Sequence, residues 1–509
     1  MVRTLPPLKR RETNLNKWRE LENNMIYLVQ NKKEYDYDIR AILLAFFERE
    51  KIVDVTEKEP GMENPRFLIA FDFGEGTLHG KIEEDGVLKA EKKIECNHED
   101  HGPGRRVVDK FIYQLISEYT GRTLPWGTLT GIRPTKIIFQ WLLEGLTDEE
   151  AEERFCDTYL ATKQKARVCT QVAKKEQEVL GRITYEDEYS IYIGIPFCPT
   201  TCLYCSFTSF PLAKFSDRVE NYLKALYKEM AYVADAYKER KLTTVYIGGG
   251  TPTSLTAPQM DELLTKIEET FDLSYVREFT VEAGRPDSIT YDKLKAIKVH
   301  PVTRISINPQ TMNDETLKLI GRAHTTEETI EAFKMAREVG FDNINMDIIT
   351  GLPGEDITHV EKTLKDIFEL NPESLTVHSL AIKRAAILNR EMEQYRSSVK
   401  GSTDEMLQLV DKTAQEMGMN PYYLYRQKNI PGNLENIGYA KEGKESLYNI
   451  LIMEEKQDII AMGAGASTKC VYLPENRIER SENVKNVDHY IERIDEMIER
   501  KRTLLKDRF

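Results

Sequence analysis

The chain has 509 residues, 40% of them hydrophobic, and a formal net charge of −13. That length predicts two or three domains on a prior of about 150 residues each, and the hydrophobic share supports well-formed cores. The acidic balance excludes a broad nucleic-acid surface, which needs clustered Lys and Arg, but leaves room for a small anion in a local basic site. No apolar stretch approaches the ~20 residues that span a bilayer, and no charged start with an apolar core and cleavage site is present. A cytoplasmic protein with neither a membrane nor a nucleic-acid partner is expected.

Residues 1–24, with Lys9-Arg10-Arg11, are basic and lack an apolar period, so a disordered tail upstream of a natural start at Met25 is predicted. Met25 to Val29 and Arg66 to Phe71 read as strands and the 149–180 stretch as helix, which together make residues 25–185 an N-terminal α+β domain. Within it, Leu129 to Lys136 contains Arg133 and Lys136 around Gly131 and Pro134; a surface turn explains it better than an anion site. The run Cys96-Asn97-His98-Glu99-Asp100-His101 suggests a metal, yet it sits among charges before Gly102-Pro103-Gly104 and has no fourth soft ligand. Cys96, Cys156, Cys169 and Cys470 are read as packing thiols, because an odd total of seven does not describe a disulfide framework.

From residue 186 to 385 the pattern changes to short apolar strands alternating with amphipathic helices. Strands are predicted at Ile191 to Phe197, Thr244 to Gly248, Glu278 to Ala283, Arg304 to Asn308, Ile344 to Ile349 and Leu375 to Ala381. Helical periods such as Ser216 to Lys238, Pro258 to Thr270, Thr326 to Val339 and Thr358 to Phe368 lie between them. Six β/α units imply an α/β fold with a parallel sheet curled into a partial barrel, whose chemistry sits at the C-terminal strand ends. Residues 386–509 read as a cap of two helices and then short strands near Tyr422 to Gln427 and Tyr448 to Met453.

The first predicted strand runs into Cys198-Pro199-Thr200-Thr201-Cys202-Leu203-Tyr204-Cys205, a C-x3-C-x2-C segment. Offsets of four and seven residues would also place three packed thiols on one helix face. Pro196, Pro199 and Pro211 oppose a helix there, since an interior proline costs roughly 3 kcal/mol. Zinc would need a fourth ligand and usually draws on two C-x-x-C knuckles, of which there is no second. Soft thiolates on a loop fit an iron-sulfur cluster best, with three ligands for four irons and one iron left open.

Later strand ends carry residues suited to a zwitterionic, adenosine-bearing ligand: Gly249, Gly250 and Thr251 in a glycine turn, Glu282, Gln310, Arg322 with its planar fork, and Asp347. The cysteine spacing, with the aromatic Tyr204 before the last cysteine, resembles the radical S-adenosylmethionine superfamily. The stretch from about 190 to 470 resembles the oxygen-independent coproporphyrinogen III oxidases (coproporphyrinogen dehydrogenases) and related haem chaperones, and the long N-terminal region resembles that group's extended branch. The resemblance implies a [4Fe-4S] cluster on Cys198, Cys202 and Cys205. It also implies S-adenosylmethionine chelating the open iron and, on one-electron reduction, yielding a 5′-deoxyadenosyl radical. Tyr192, Tyr204, Gly249, Gly250, Thr251, Glu282, Gln310, Arg322, Asp347 and Ala381 match the family's contacts to that cofactor. Implied partners are a tetrapyrrole substrate and a low-potential donor such as flavodoxin or ferredoxin; Lys383 and Arg384 are candidate cations for the substrate's carboxylates. The chain departs from the family at Gly194, where a histidine is usual, at Asn308-Pro309 for Gly-Val, and at Phe207, where decarboxylating members carry a further cysteine. The chaperones' C-terminal His-Asn-x-x-Tyr-Trp is absent too.

Overall fold

A computed structural model describes residues 25–506 except 48–49, 56–66, 98–101, 132, 186, 382–385, 391–394, 396–400, 427–432, 474 and 476. The expected tail, most of the Cys96–His101 run and the Lys383-Arg384 pair therefore lie outside the described residues. The chain forms two compact units. In the first, β1 (Met25–Gln30) lies between β2 (Lys51–Asp54) and β3 (Phe67–Gly74), parallel to both; β4 (Thr77–Glu84) and β5 (Val87–Glu95) follow as an antiparallel meander. Ile26, Leu28, Phe71 and Leu78 from the sheet share one core with Ile39 and Leu43 of helix Asp36–Phe46 and Phe111 and Leu115 of helix Pro103–Thr120.

The second unit contains β6 (Glu188–Ile195), the short pair β7 (Phe197–Cys198) and β8 (Phe210–Pro211), then β9 (Lys241–Gly249), β10 (Glu278–Gly284), β11 (Arg304–Ile307), β12 (Ile344–Thr350) and β13 (Ser374–Ser379). These are followed by β14 (Asn420–Arg426), β15 (Glu435–Ala440), β16 (Asp458–Met462), β17 (Ser467–Tyr472) and β18 (Arg477–Glu482). One sheet runs in the order β14-β15-β13-β12-β11-β10-β9-β6-β16-β17-β18. The six expected strands are parallel neighbours in sequence order from β6 to β13, each within a few residues of its predicted bounds. Helices begin where they can cap themselves: Thr256 with Gln259 and Thr325 with Glu328 form reciprocal capping boxes at helices Ala257–Thr270 and Thr326–Val339.

Alternation in the strands decides the faces. Ile191, Ile193, Val245, Ile247, Phe279, Val281, Ile305, Met346, Leu375 and Val377 point one way and are buried. In register on the other face are Ser190, Tyr192, Thr244, Tyr246, Thr280, Glu282, Ser306, Asn345, Asp347, Thr376 and His378. Buried polar groups there hydrogen-bond to one another: Thr244 to Ser190 at 2.8 Å, Ser190 to Gln457 at 2.7 Å, and Asn345 to Ser306 at 3.1 Å.

Three expectations change. Residues 133–140 and 168–185 belong with the second unit, not with an N-terminal domain ending at 185: Leu180 and Ile183 pack with Tyr422, Tyr423, Ile450 and Leu451. The segment after 386 does not form a separate cap, because its strands extend the sheet at both edges. There β15 pairs antiparallel with β13, and β16 adds a seventh parallel strand beside β6. Tyr448 to Met453 is helical, within Leu447–Glu454. Its N-terminus is held by Glu278, whose carboxylate accepts from the Leu447 amide at 2.6 Å and the Tyr448 amide at 3.3 Å. A carboxylate at a helix N-terminus is favoured by the helix dipole, and here it comes from a residue far away in the chain.

The C-terminal helix Ile494–Leu505 is tied in by a buried ion pair. Lys501 Nζ donates to Glu229 Oε1 at 2.7 Å and Asn483 Oδ1 at 2.9 Å, and Glu229 Oε2 accepts from the Gly463 amide at 2.9 Å. Removing one partner strands the other charge, a loss of roughly 3–5 kcal/mol. Lys501→Ala is therefore expected to lower unfolding free energy in urea by that amount, and Glu229→Gln with Lys501→Met by distinctly less.

Candidate functional site

The cysteine segment is not helical: β7 takes Cys198, and Cys202 and Cys205 follow in irregular backbone. This removes the reading of three thiols packed along one helix face. The loop is fastened at three places. At the end of β9 the Gly250 amide donates to Ile195 O at 2.8 Å and the Thr251 amide to Phe197 O at 2.8 Å. The Leu203 amide donates to Ile320 O at 2.9 Å, and the Leu388 amide to Leu203 O at 2.9 Å. Cys198 and Cys202 are 8% exposed, and Cys205 is partly exposed. Burial pushes the Cys198 thiol up to about 11, opposed by a hydrogen bond from Thr251 Oγ1 at 3.5 Å and reinforced by Cys205 and Cys202. Cys205 and Cys202 both raise the proton affinity of Cys198, so they lie within electrostatic reach of it, and a soft cation there would relieve that repulsion. Among the described residues no three His, Cys, Asp or Glu side chains are already set around a metal position.

Gly249 and Gly250 make this approach possible. Gly249 has φ +109°, and a Cβ on Gly250 would lie 2.6 Å from Phe197 O and 2.9 Å from Cys198 Sγ. The glycine turn thus forms one wall of the thiolate site.

Beyond the loop, β6, β10, β12 and β13 are each buried except where one large polar residue of the polar face keeps partial exposure, Tyr192, Glu282, Asp347 and His378, and within β9 Tyr246 does the same between buried neighbours. They lie on one face of the parallel sheet. Tyr192 stacks on Tyr246 with ring centroids 6.1 Å apart, and Tyr448 closes the stack 4.4 Å from Tyr246. Tyr246 Oη donates to Glu282 Oε1 at 2.6 Å, and His378 Nε2 lies 3.9 Å from Asp347 Oδ2. Burial pushes the Glu282 carboxyl up to about 7, with Tyr246's hydrogen bond opposing and the Asp347 charge adding to the rise. Asp347 Oδ1 also accepts from Asn345 at 2.6 Å.

Gln310 has φ +68°, a left-handed conformation uncommon for a residue with a side chain. It is held there by its amide donating to Asp347 O and its carbonyl accepting from the Ile349 amide, both at 2.9 Å. Its side-chain Oε1 is buried with no protein partner, an acceptor available to a ligand's donor. Arg322 is buried; its Nη1 donates to Asn308 O at 2.6 Å, and Nε and Nη2 donate to Tyr204 Oη at 3.3 and 3.2 Å. Arg322 thereby joins the cysteine loop to the strand end that carries Gln310. Ala381 lies just past β13, next to Leu380, whose amide donates to Thr350 O at 3.0 Å.

Tyr246, Tyr448 and His378 were not singled out by sequence. Tyr246 and His378 were legible in principle as the polar members of alternating strands; Tyr448 was not, because its helix was misread. Among the other expected sites, Arg133 is occupied by protein, its Nη1 donating to Met453 O at 2.5 Å and its Nη2 pairing with Glu455. Its segment is not simply a surface turn: Leu129 and Thr135 are buried, and Thr135 begins helix Thr135–Leu143. No helix among the described residues is long and apolar enough to cross a membrane.

Residues 192–367 match the model of the radical SAM superfamily. The chain is 43% identical over 441 residues to the oxygen-independent coproporphyrinogen-III oxidase-like protein HemZ of Bacillus subtilis, covering 85% of this chain and 88% of that protein. It is 34% identical to the haem chaperone HemW of the same organism, covering 60% of this chain and 76% of the chaperone. Among solved structures, coproporphyrinogen III oxidase (HemN) from Escherichia coli superposes with a TM-score of 0.50 at 22% identity, over 63% of this chain and 72% of that one. The likeness extends the α/β fold assignment to that structure.

Gly250→Ala places a methyl group against backbone and a cysteine sulfur. Overpacking of this kind costs about 1–3 kcal/mol; the variant should unfold at correspondingly lower urea and retain less iron and sulfide after anaerobic reconstitution than the parent protein.

Proposed function

Because the chain belongs to the radical SAM family of oxygen-independent coproporphyrinogen-III oxidase-like proteins, we propose that it converts coproporphyrinogen III to protoporphyrinogen IX without oxygen. Membership brings a [4Fe-4S] cluster and S-adenosylmethionine, which together supply hydrogen-atom abstraction. At each of two propionates a hydrogen atom leaves the β-carbon, and carbon dioxide and one electron follow, giving a vinyl group; a one-electron acceptor completes each round.

The observation that carries the reading is a non-helical segment with Cys198, Cys202 and Cys205 that follows β6 and is held against the β9 turn. In it Cys198, Cys202 and Cys205 hold the cluster, and Gly249, Gly250 and Thr251 let the cofactor approach the loop. Glu282 and Asp347 accept hydrogen bonds from its ammonium or ribose groups, Gln310 Oε1 accepts from another donor, and Tyr192 and Tyr204 border it. Arg322 acts through Tyr204 and Asn308, with two N–H bonds left for a carboxylate. Ala381 offers backbone at the far strand end. The substrate is a tetrapyrrole, whose carboxylates call for cations. An electron from flavodoxin or ferredoxin in a reducing cytoplasm fits the thiol chemistry.

A second reading is haem delivery. It is favoured by the HemW similarity and by Phe207, 71% exposed two residues past Cys205, where the resembling decarboxylases carry another cysteine. Anaerobic turnover with reductant, S-adenosylmethionine and authentic substrate distinguishes them. Vinyl product with 5′-deoxyadenosine is expected, and is to be lost, with the bound iron, in Cys202→Ala. Stoichiometric haem binding with no vinyl product would replace the first reading by the second.

Glu282 adds a pH signature. A carboxyl raised to about 7 is protonated in the empty fold at mildly acid pH, and its contribution to stability falls as pH rises from about 4.3, its unperturbed value, towards 7. Binding of a hydrogen-bond donor or cation to the carboxylate releases that proton, so affinity for S-adenosylmethionine should rise with pH, by up to about tenfold per unit below 7. Calorimetric titration across pH 5.5 to 8 should show this slope in the parent and a flat response in Glu282→Gln.

A further inference from the structure

Arg285 follows directly on β10, and its side chain is 4% exposed. One edge of the guanidinium is clamped by Asp287, with Nε donating to Oδ1 at 2.9 Å and Nη2 to Oδ2 at 2.6 Å. The opposite edge faces the cysteine loop. There Nη1 donates to Thr200 Oγ1 at 2.7 Å and Thr200 O at 3.2 Å, and lies within hydrogen-bonding reach of Cys202 Sγ at 3.6 Å. A guanidinium is planar with a fixed fork of donors, so seating one edge on a carboxylate dictates where the other edge points. Thr200 is itself anchored, its hydroxyl donating to Gly321 O at 3.1 Å.

A buried, oriented cation thus presents an N–H to one sulfur of the trio while holding the spacer between Cys198 and Cys202. None of the cofactor contacts assigned above uses it. We propose that Arg285 is a positioning residue that raises the reduction potential of the cluster by donating to the Cys202 sulfur. The proposal rests on the reading that the three cysteines carry the cluster.

The sign follows from charge. Reduction adds one electron to the cluster and its thiolates, so a donor and a fixed positive charge stabilise the reduced form more than the oxidised form. Asp287 offsets part of the charge, but it sits on the far edge, and the N–H dipole remains directed at sulfur. With the site largely shielded from water, that directed interaction is weakly screened.

The test uses the full-length protein, reconstituted anaerobically, with Arg285→Gln and Arg285→Lys. Redox titration followed by electron paramagnetic resonance should show the reduced-to-oxidised ratio at a fixed potential falling about tenfold in Arg285→Gln, a shift of ~59 mV for one electron. Arg285→Lys should lie between it and the parent. Parental iron content with an unchanged potential in Arg285→Gln overturns the proposal. If that variant does not assemble a cluster, parent protein labelled with 15N-arginine decides: a 15N coupling to the reduced cluster that Arg285→Lys lacks supports the assignment, and no coupling in the parent overturns it. Failure of the underlying reading looks different, because iron would then persist in Cys202→Ala.

Discussion

The site depends on how closely two strand ends can approach. Gly249 and Gly250 end β9 without side chains, so Ile195 O and Phe197 O accept from backbone amides of the turn, and Cys198 Sγ sits where any Cβ on Gly250 would collide. That contact converts a flexible three-cysteine segment into a fixed cup. Once it is set, Thr251 can reach Cys198, Tyr204 can meet Arg322, and Arg285 can reach both Thr200 and Cys202.

Charge is arranged around this cup in opposition. On the loop side, Arg285 and Arg322 are buried and face thiols and a phenol. On the sheet side, Glu282 and Asp347 face His378 and a stack of tyrosines. A ligand with a positive end and a carboxylate fits between such fields, whereas a wholly apolar or wholly anionic one would leave one side uncompensated. The left-handed Gln310, with an unpartnered buried oxygen, sits where backbone strain of order 1–3 kcal/mol is retained by two hydrogen bonds to β12.

The sheet explains why this polar face exists. Its parallel strands alternate apolar and polar residues. The apolar members form the buried core of the unit, and the polar members turn inward to satisfy one another. The departures at the chain's end serve the same sheet: β15 continues it beyond β13, and β16 continues it beyond β6, the strand that leads to the cysteines.

Much of this was readable in the residues, because local chemistry imposed it. Prolines around the cysteine spacing opposed a helix, short apolar runs marked six strands, and amphipathic periods marked the helices between them. Glu282 lies near the end of β10 and Gln310 just past β11, as expected, whereas Asp347 sits in the middle of β12. What remained illegible depends on residues distant in the chain. Glu278 caps a helix more than 160 positions away, turning an apolar run that looks like a strand into helix Leu447–Glu454. The pairing of β16 with β6, and the clamp that aims Arg285 at Cys202, likewise arise from long-range contacts, which no local periodicity encodes.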